Sequence, residues 1–197
     1  MSNFVIYFCL FSCQFCGITA FDNLAFGRNV TGYQDLYVGK PLQISGNLTD
    51  GDRTGTCEHF SGDYFEFHIN LQKMYTIKSS RLIFKGNFTT NGANIFCYDD
   101  TRTWPYYELG SYRRENPQTV KFEAQRTGTT IYFYVWVPSS NTIEIELCEI
   151  EMYGCEVDHY GDDCLPCNKS DNCKVCDVNN GACYVCKKGY TGSNCSR

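Results

Sequence analysis

The cysteines are the residues whose type and spacing most directly suggest chemistry. Eight of the fourteen follow Gly154, and four of those form a C-x2-C-x6-C-x2-C pattern that a reducing compartment would turn into a tetrahedral zinc site. In an oxidising compartment the same thiols form disulfides, which a short segment with few aliphatic residues needs in order to fold. The tail cysteines, which predict four bridges in that case, are Cys155, Cys164, Cys167, Cys173, Cys176, Cys183, Cys186 and Cys195.

The compartment is indicated by the start of the chain and by its acceptor sites for N-glycosylation. Residues 1–20 are uncharged and largely apolar and end in Thr19-Ala20, which predicts a cleaved signal peptide, with an uncleaved membrane anchor as the alternative. We therefore expect a glycoprotein that is secreted or held on the extracellular face of the plasma membrane, and disulfides rather than zinc. Five sequons support this, at Asn29, Asn47, Asn87, Asn168 and Asn194.

Charge and histidine content argue against two functional classes. The formal net charge is -5 and no basic tract is present, so we expect no nucleic-acid partner. Only three histidines occur, and no Ser/His/Asp or Cys/His arrangement has a recognisable catalytic spacing, so we predict that the protein is not an enzyme. The paired carboxylates of "EIELCEIE" are interpreted as an exposed strand face rather than as a catalytic pair.

That acidic stretch, residues 142–155, changes its rhythm at one cysteine. Ile145 and Leu147 are apolar at odd positions, but Ile150 and Met152 are apolar at even ones. Side chains of a strand alternate between faces with a period of two, so an extra residue must be inserted near Cys148. The sequence predicts a β-bulge or a bend there.

The segments that would position these residues read as an all-β domain followed by a cysteine-rich one. Between residues 21 and 154, short runs rich in Tyr, Phe, Ile and Val alternate with Gly, Asn, Asp and Ser, without a helical period. Many short strands with turn signals between them predict a β-sandwich or barrel, with "TIYFYVWV" as a central strand. The rise in cysteine density places a domain boundary at 154/155, so residues 155–197 form a second unit.

Three segments, in order, resemble the F-type lectin (fucolectin) family. They are "NLAFGRNVT", "LTDGDRTGTCEHF" and "LCEIEMYG", which span nearly all of residues 21–154. The resemblance implies a jelly-roll β-sandwich related to the discoidin domains. It also implies a disulfide between Cys57 and Cys148, which would explain the break in the acidic strand.

Calcium is the metal that the resemblance implies. Calcium takes six to eight oxygen ligands, many of them from tight turns, and "NLTDGDRTGT" is the corresponding turn. Alternatively, its aspartates serve only local hydrogen bonding. The expected structural Ca2+ site comprises Asn47, Asp50, Asp52, Thr56, Cys148 and Glu149.

The sugar site implied by the resemblance is altered in this chain. His59 matches the family's histidine, but Lys85 replaces an arginine and Asn87 replaces an aspartate. Lysine lacks the planar fork of arginine, and a glycan on Asn87 would lie beside the pocket. We name His59, Lys85 and Asn87 as carbohydrate-binding candidates, with His59 as an ordinary loop histidine in the alternative interpretation.

The cysteine-rich tail resembles an EGF-like module of the laminin type or of multiple-EGF receptors. The closing "CKKGYTGSNC" carries this resemblance, and eight cysteines match four bridges. A lectin-like domain before EGF-like repeats is similar to the N-terminus of invertebrate multiple-EGF or scavenger-type receptors, so attachment to a membrane would follow if this chain is part of such a receptor. Cys97 is expected to be a free thiol, with an intermolecular bridge as the alternative.

Two functions remain open from the sequence. The first is a calcium-stabilised module for recognition of cell-surface or microbial glycans, carried on an EGF-like stalk. The second is an adhesion or matrix module that binds extracellular proteins and has lost sugar binding.

Overall fold

The chain is described by a computed structural model over residues 22–35, 39–85, 94–98, 112–113, 119–136, 142–167, 171–193 and 195–196, with the backbone alone at 94–98, 112–113, 124–126 and 143. Apart from a single 3-10 turn at Asn47–Thr49, the regular elements of these residues are β-strands. The strands are β1 (Val30–Gln34), β2 (Lys40–Pro41), β3 (Glu58–Gly62), β4 (Tyr64–Phe84), β5 (Asn94–Tyr98), β6 (Tyr112–Arg113), β7 (Thr119–Trp136), β8 (Ile143–Glu156), β9 (His159–Tyr160), β10 (Leu165–Pro166), β11 (Cys173–Cys176) and β12 (Cys183–Cys186).

The longest strands, β4 and β7, pair with each other over almost their whole length. Tyr64 lies opposite Trp136 at one end, and Ile83 lies opposite Thr119 at the other. Between Asn70 and Tyr75 the register shifts, and Gln72 there has a positive φ of 67°. The apolar runs "DYFEFHI" and "RLIFK", each of strand length in the sequence, are therefore the two ends of β4, and "TVKFEA" and "TIYFYVWV" are the two ends of β7.

The bend divides the sheet into two layers. One layer contains the first half of β4 and the last residues of β7, together with β1, β2, β5 and β6. The other layer contains the second half of β4 and the first residues of β7, together with β8 and β3. The two layers pack face to face, as the distance of 5.3 Å between the Phe60 ring of β3 and the Phe67 ring of β4 shows. Phe122 and Phe133, both on β7, are 5.9 Å apart because their strand passes from one layer to the other.

The core lies between these layers and consists of aromatic and aliphatic side chains. Phe65, Phe67, Phe133, Ile131 and Leu147 are all fully buried. β7 is central, as expected, with β4 on one side and β5 on the other. Its outer face is only half covered, since Trp136 is 39% exposed. The prediction of an all-β jelly-roll type of sandwich is confirmed.

Strand β8 carries the predicted irregularity. Ile83 of β4 pairs with Glu149 and Phe84 pairs with Leu147, so Cys148 is the extra residue of a bulge. Leu147 and Ile150 both face the core as a result, and both have no exposed surface.

β8 continues through Gly154 to Glu156, so a strand crosses the predicted domain boundary, which stays a prediction. Two small two-stranded sheets, β9 with β10 and β11 with β12, follow it. Residues 155–197 bury little apolar surface, and their small hydrophobic cluster consists of Cys155 and Val178, packed against Tyr153 and Cys164. Four disulfides hold this module together, pairing Cys155 with Cys164, Cys167 with Cys176, Cys173 with Cys183, and Cys186 with Cys195.

No helix in the described part of the chain has the length and apolar composition that crossing a membrane requires. Residues 1–20, the predicted signal peptide, lie outside the described residues.

Candidate functional site

A loop from Gly46 to Cys57 connects the first strands with β3 and is anchored against β8. The loop turns at Gly46, whose φ is 96°, and then forms the 3-10 turn Asn47–Thr49. Leu48 is buried in the core, and the Thr49 hydroxyl donates to the Arg28 carbonyl at 2.7 Å. The loop is thus fixed at its start by burial and at its end by the Cys57–Cys148 disulfide.

Several predicted calcium ligands make hydrogen bonds within this loop. Asp50 Oδ1 accepts from the Asp52 N–H at 2.8 Å, and Asn47 Nδ2 donates to Thr56 Oγ1 at 2.9 Å. Asp52 Oδ1 accepts from both the N–H and the hydroxyl of Thr54, which lowers the pKa of Asp52. One carboxylate oxygen of each aspartate is therefore occupied by the turn itself, in line with the local role that the sequence left open.

Glu149 differs from these exposed groups because its side chain is fully buried. Its Oε1 accepts from the Gly51 N–H at 3.2 Å, but its buried Oε2 has no hydrogen-bond partner among the residues that the structure describes. Burial raises the pKa of Glu149 to about 7, and the charges of Asp50 and Glu151 contribute to the rise against the hydrogen bond from Gly51. A buried carboxylate with an unsatisfied oxygen is an unfavourable arrangement unless a proton or a cation accompanies it.

The residues present are chemically suited to calcium. Glu149 and Asp50 lie close enough for their charges to interact, and the loop that carries Asp50 is attached to the bulge through Cys57 and Cys148. Carboxylate, amide and main-chain oxygens are the ligands that Ca2+ prefers. Of the predicted set, Asp52 is the least suited, because its Oδ1 faces Thr54 and its carboxylate folds over Gly55.

Glu151 is a second buried carboxylate, and the sequence interpretation missed it. Only 4% of its side chain is exposed, and its Oε1 accepts from Arg53 Nε at 2.6 Å. Arg81 NH1 lies 3.5 Å from the other oxygen. The exposed strand face expected for "EIELCEIE" holds for Glu144, 74% of whose side chain is exposed, but is wrong for Glu149 and Glu151. The bulge and the overlying loop cover those two, and the period change at Cys148 was the signal for it.

The carbohydrate candidates lie on the outward face of the same layer. His59 of β3 pairs with Glu146 of β8, and the Lys85 N–H donates to the Glu146 carbonyl at 2.9 Å from the other side. His59 and Lys85 are therefore placed on either side of one β8 residue. The His59 side chain is 55% exposed and its Nε2 lies 3.9 Å from a Glu144 carboxylate oxygen. Asn87 lies outside the described residues.

The remaining histidines have other surroundings. His68 faces away from the core and lies 2.5 Å from Glu66 Oε1, between the rings of Tyr33 and Tyr132. His159 is in the tail, 2.7 Å from Asp158 Oδ1. Neither lies in the loop described above.

The sequons and the remaining cysteine are placed as follows. Asn29 is exposed and Asn47 is half-buried, whereas Asn168 and Asn194 lie outside the described residues, as does Asn87. The backbone of Cys97 lies opposite Phe133, and its side chain is not among those described. In the tail, the sulfurs of Cys173, Cys183 and Cys195 lie close together, but each is in a disulfide and cannot serve as a thiolate ligand of zinc.

Comparison with known proteins finds similarity at the level of solved structures. No family model matches the chain, and no curated protein matches it. A chitosan-binding module from a chitosanase/glucanase of Paenibacillus sp. IK-5 is similar over 68% of this chain and 99% of its own, with 17% identity and a TM-score of 0.48. A fucose-binding module of Streptococcus pneumoniae is similar over 68% and 96%, with 18% identity and a TM-score of 0.47.

The lectin domain of lectinolysin, solved in complex with Lewis B antigen, is similar over 68% of this chain and 98% of its own, with 11% identity and a TM-score of 0.49. These similarities concern the arrangement of strands in the sandwich.

Proposed function

We propose that the sandwich is an extracellular carbohydrate-recognition module, stabilised by calcium and carried on an EGF-like stalk formed by residues 155–197. One observation carries this proposal. His59 and Lys85 lie on either side of Glu146 on an outward sheet face, next to the strand whose Glu149 has a buried, unsatisfied carboxylate oxygen.

The sugar-binding part of the proposal rests on hydrogen-bonding chemistry. The imidazole of His59 and the ammonium of Lys85 can donate to sugar hydroxyls, and neither side chain is buried. Because Lys85 is a point charge without the fork of arginine, we expect weak binding of single sugars. Several such modules on one surface would raise the avidity without any new contact.

The calcium part rests on the buried carboxylate. Asp50 and Glu149 would hold the ion, with oxygens from Asn47, Thr56 and the Cys148 main chain around it, and Asp52 at most peripheral. A bound calcium ion would neutralise Glu149 and attach the loop to β8. The loop leads directly into β3, so calcium would also stabilise the position of His59.

A glycan array probed with the secreted chain, once with calcium and once with chelator, tests the proposal. We expect binding to neutral saccharides that falls when calcium is removed. Titration of the best saccharide should then show about tenfold weaker binding for His59→Ala, since removing one partner of a hydrogen bond costs about 1 to 3 kcal/mol. His159→Ala is the matched control and should bind as wild type does.

The sequon at Asn87 adds a second variant. If a glycan on Asn87 covers the pocket, Asn87→Gln should bind saccharide more tightly than wild type. Should the Asn87→Gln protein show no heat or chemical-shift change up to tens of millimolar fucose or galactose, and the array also stay empty, sugar binding would be rejected.

Protein binding by the tail is the second candidate, and a specific observation favours it. Tyr184 is 75% exposed and Leu165 is 52% exposed on the small sheets of the module. Under this alternative the two side chains would belong to one contiguous apolar contact surface. Under this alternative, Tyr184→Ser would abolish adhesion to cells or matrix, whereas His59→Ala would leave it unchanged.

A further inference from the structure

A half-open groove lies between the loop that precedes β3 and the outer face of β4. Its volume is about 420 Å3, within the range of about 300 to 1,000 Å3 that small-molecule sites occupy. Arg53 and Thr54 form the loop side, and Arg81, Lys85 and Thr119 form the sheet side. The groove adjoins the sugar-binding candidates through Lys85, but the sequence assigns no role to Arg53, which lies within "LTDGDRTGTCEHF", or to Arg81.

The groove is positively charged. Arg53, Arg81 and Lys85 contribute three positive charges, and the buried Glu151 contributes one negative charge beneath them. Among the described residues, no ion pair is formed by Lys85. The groove therefore has an excess of positive charge in a protein whose formal net charge is -5.

Both guanidinium groups are positioned by Glu151 and Tyr153, and these contacts use only part of each group. Arg53 uses Nε on Glu151, and Arg81 places NH1 3.5 Å from the other oxygen of the same carboxylate. A guanidinium has five N–H donors, so each retains donors that are not directed at Glu151. Fixing an arginine in advance reduces the entropy lost when it grips an anionic oxygen.

The rest of the lining suits a sugar ring rather than a bare ion. Ile83 and the Cys57–Cys148 disulfide give an apolar surface, and the Thr54 and Thr119 hydroxyls flank it. A sugar ring has apolar C–H faces and hydroxyl edges, so it can use both. A small inorganic anion would leave most of the groove volume unfilled.

We propose that this groove binds an acidic saccharide, with the carboxylate or sulfate group of the sugar held by Arg53, Arg81 and Lys85. This inference rests on the proposed function and names the class of glycan that it would favour. The anionic group would lie between the two guanidiniums, where paired N–H donors match two oxygens at once. The ring would lie against Ile83 and the disulfide.

Titration of the secreted chain in calcium-containing buffer with three matched disaccharides tests this. One is neutral, one carries a uronic acid and one carries a sulfate ester. We expect at least one acidic disaccharide to bind tenfold or more tightly than the neutral one at low salt. The advantage should shrink towards about 0.5 M NaCl, because salt screens an exposed charged groove.

The readout for variants is the ratio of acidic to neutral affinity. Lys85→Gln and Arg81→Gln should each reduce this ratio severalfold, and Lys85→Gln leaves the buried Glu151 with both of its arginines. Arg81→Lys keeps the charge and should give an intermediate ratio, which controls for folding. Lys40→Gln, an exposed lysine on β2, is the control and should leave the ratio unchanged.

The possible outcomes separate this inference from the proposed function. Equal binding of neutral and acidic disaccharides would overturn the inference and leave the function intact. An acidic preference that survives both Arg81→Gln and Lys85→Gln would also overturn it, because the anion would then bind elsewhere. The inference would also be overturned if inorganic sulfate bound but neither acidic disaccharide did. No binding of any saccharide would overturn both.

Discussion

Glu149 and Glu151 are two residues apart on the same face of β8, yet their carboxylates have different neighbours. Each has a buried Oε2 without a hydrogen bond among the described residues, but Glu151 has two arginines within 3.5 Å, whereas Glu149 forms no ion pair with any described arginine or lysine. Arginine stabilises the ionised form of one carboxylate, and burial destabilises the ionised form of the other. This difference singles out Glu149 as the group whose charge needs a cation.

The first prediction concerns pH in the absence of calcium. The folded pKa of Glu149, about 7, is above its ordinary value of 4.5, so the folded state holds a proton that the unfolded chain has lost. The contribution of Glu149 to stability should therefore be greatest below about pH 4.5 and fall as the pH rises to about 7, by at most roughly 1.4 kcal/mol per pH unit. Denaturant unfolding in chelator measures this.

Glu149→Gln is the matched variant for that experiment, because it keeps the shape and removes the titration. In chelator, its stability should lack the fall that Glu149 causes in wild type between about pH 4.5 and 7. Added calcium should raise the melting temperature of wild type but hardly that of the variant. An identical pH slope and an identical calcium effect in both proteins would remove Glu149 from the calcium site.

The second prediction concerns Arg53 and Glu151. Replacing Arg53 with Gln weakens the contact to a buried carboxylate, and we expect a loss of about 1 to 3 kcal/mol in the free energy of unfolding. The double variant Arg53→Gln/Glu151→Gln should be more stable than the sum of the single changes implies, because no buried carboxylate is then left without its closest arginine. Strict additivity in this cycle would mean that the pair contributes nothing.

At the scale of residues, the sequence identifies candidate site residues better than it predicts the contacts that they make. The resemblance named Glu149, Asp50 and His59, and the structure places them on one loop and its neighbouring strands. Arg53 and Arg81 were missed because they lie 28 residues apart and meet only through Glu151 on a third segment. Such a contact depends on the fold and leaves no local pattern.

At the scale of elements, the bulge in β8 explains the changed rhythm of the sequence. An extra residue at Cys148 turns the following side chains by one position, which sends Ile150 and Met152 to the core and the glutamates towards the loop. The same residue carries the disulfide to Cys57. The bulge was predictable because β8 alternates strictly on either side of it.

The continuity of β4 and β7 was not predictable in the same way. Residues 70–80 of β4, "NLQKMYTIKSS", are largely polar and contain a register shift, so they resemble a loop in sequence. Strand pairing with β7 holds this segment extended where it crosses between layers. Tertiary hydrogen bonding therefore overrides the local pattern here.

The third prediction concerns Gly154, where β8 crosses β4. A Cβ at this position would lie 2.1 Å from the Thr76 carbonyl oxygen and 2.9 Å from Ile77 Cα. Since both contacts are with backbone, Gly154→Ala should destabilise by roughly 2 to 4 kcal/mol, measured by denaturant unfolding. Gly62→Ala is the milder comparison, because its Cβ would meet the Phe65 ring at 3.3 Å and the backbone only at 3.9 Å, at the Tyr64 carbonyl oxygen. Equal effects would show that the β4–β8 crossing tolerates a side chain.

At the scale of the whole molecule, two ways of stabilising a fold meet along one strand. The sandwich buries a single cluster of aromatic and aliphatic side chains, and the Cys57–Cys148 bridge, with a sequence separation of 91, adds roughly 4 to 5 kcal/mol on the chain-entropy model. The tail has little core and four bridges with separations of only 9 or 10 residues.

The two regions should therefore respond differently to reduction, which is the last prediction. Mild reductant should open the tail first at Cys173–Cys183, because both of its side chains are only partly buried, whereas Cys148 of the sandwich bridge is 3% exposed. Without its bridges the tail has too little apolar burial to stay folded. The sandwich should remain folded, since its core does not depend on them.

Hydrogen exchange measured by mass spectrometry during stepwise reduction tests this expectation. Amides of β11 and β12 should lose protection while those of β4 and β7 keep theirs. The control is the double variant Cys57→Ser/Cys148→Ser, which should lower the stability of the sandwich. Non-reducing peptide maps of this variant should still show all four tail bridges. The last residues of β8, which pair with Thr76 and Tyr75, should mark where protection ends. Simultaneous loss of protection in both regions would show instead that the strand across the boundary couples them into one cooperative unit.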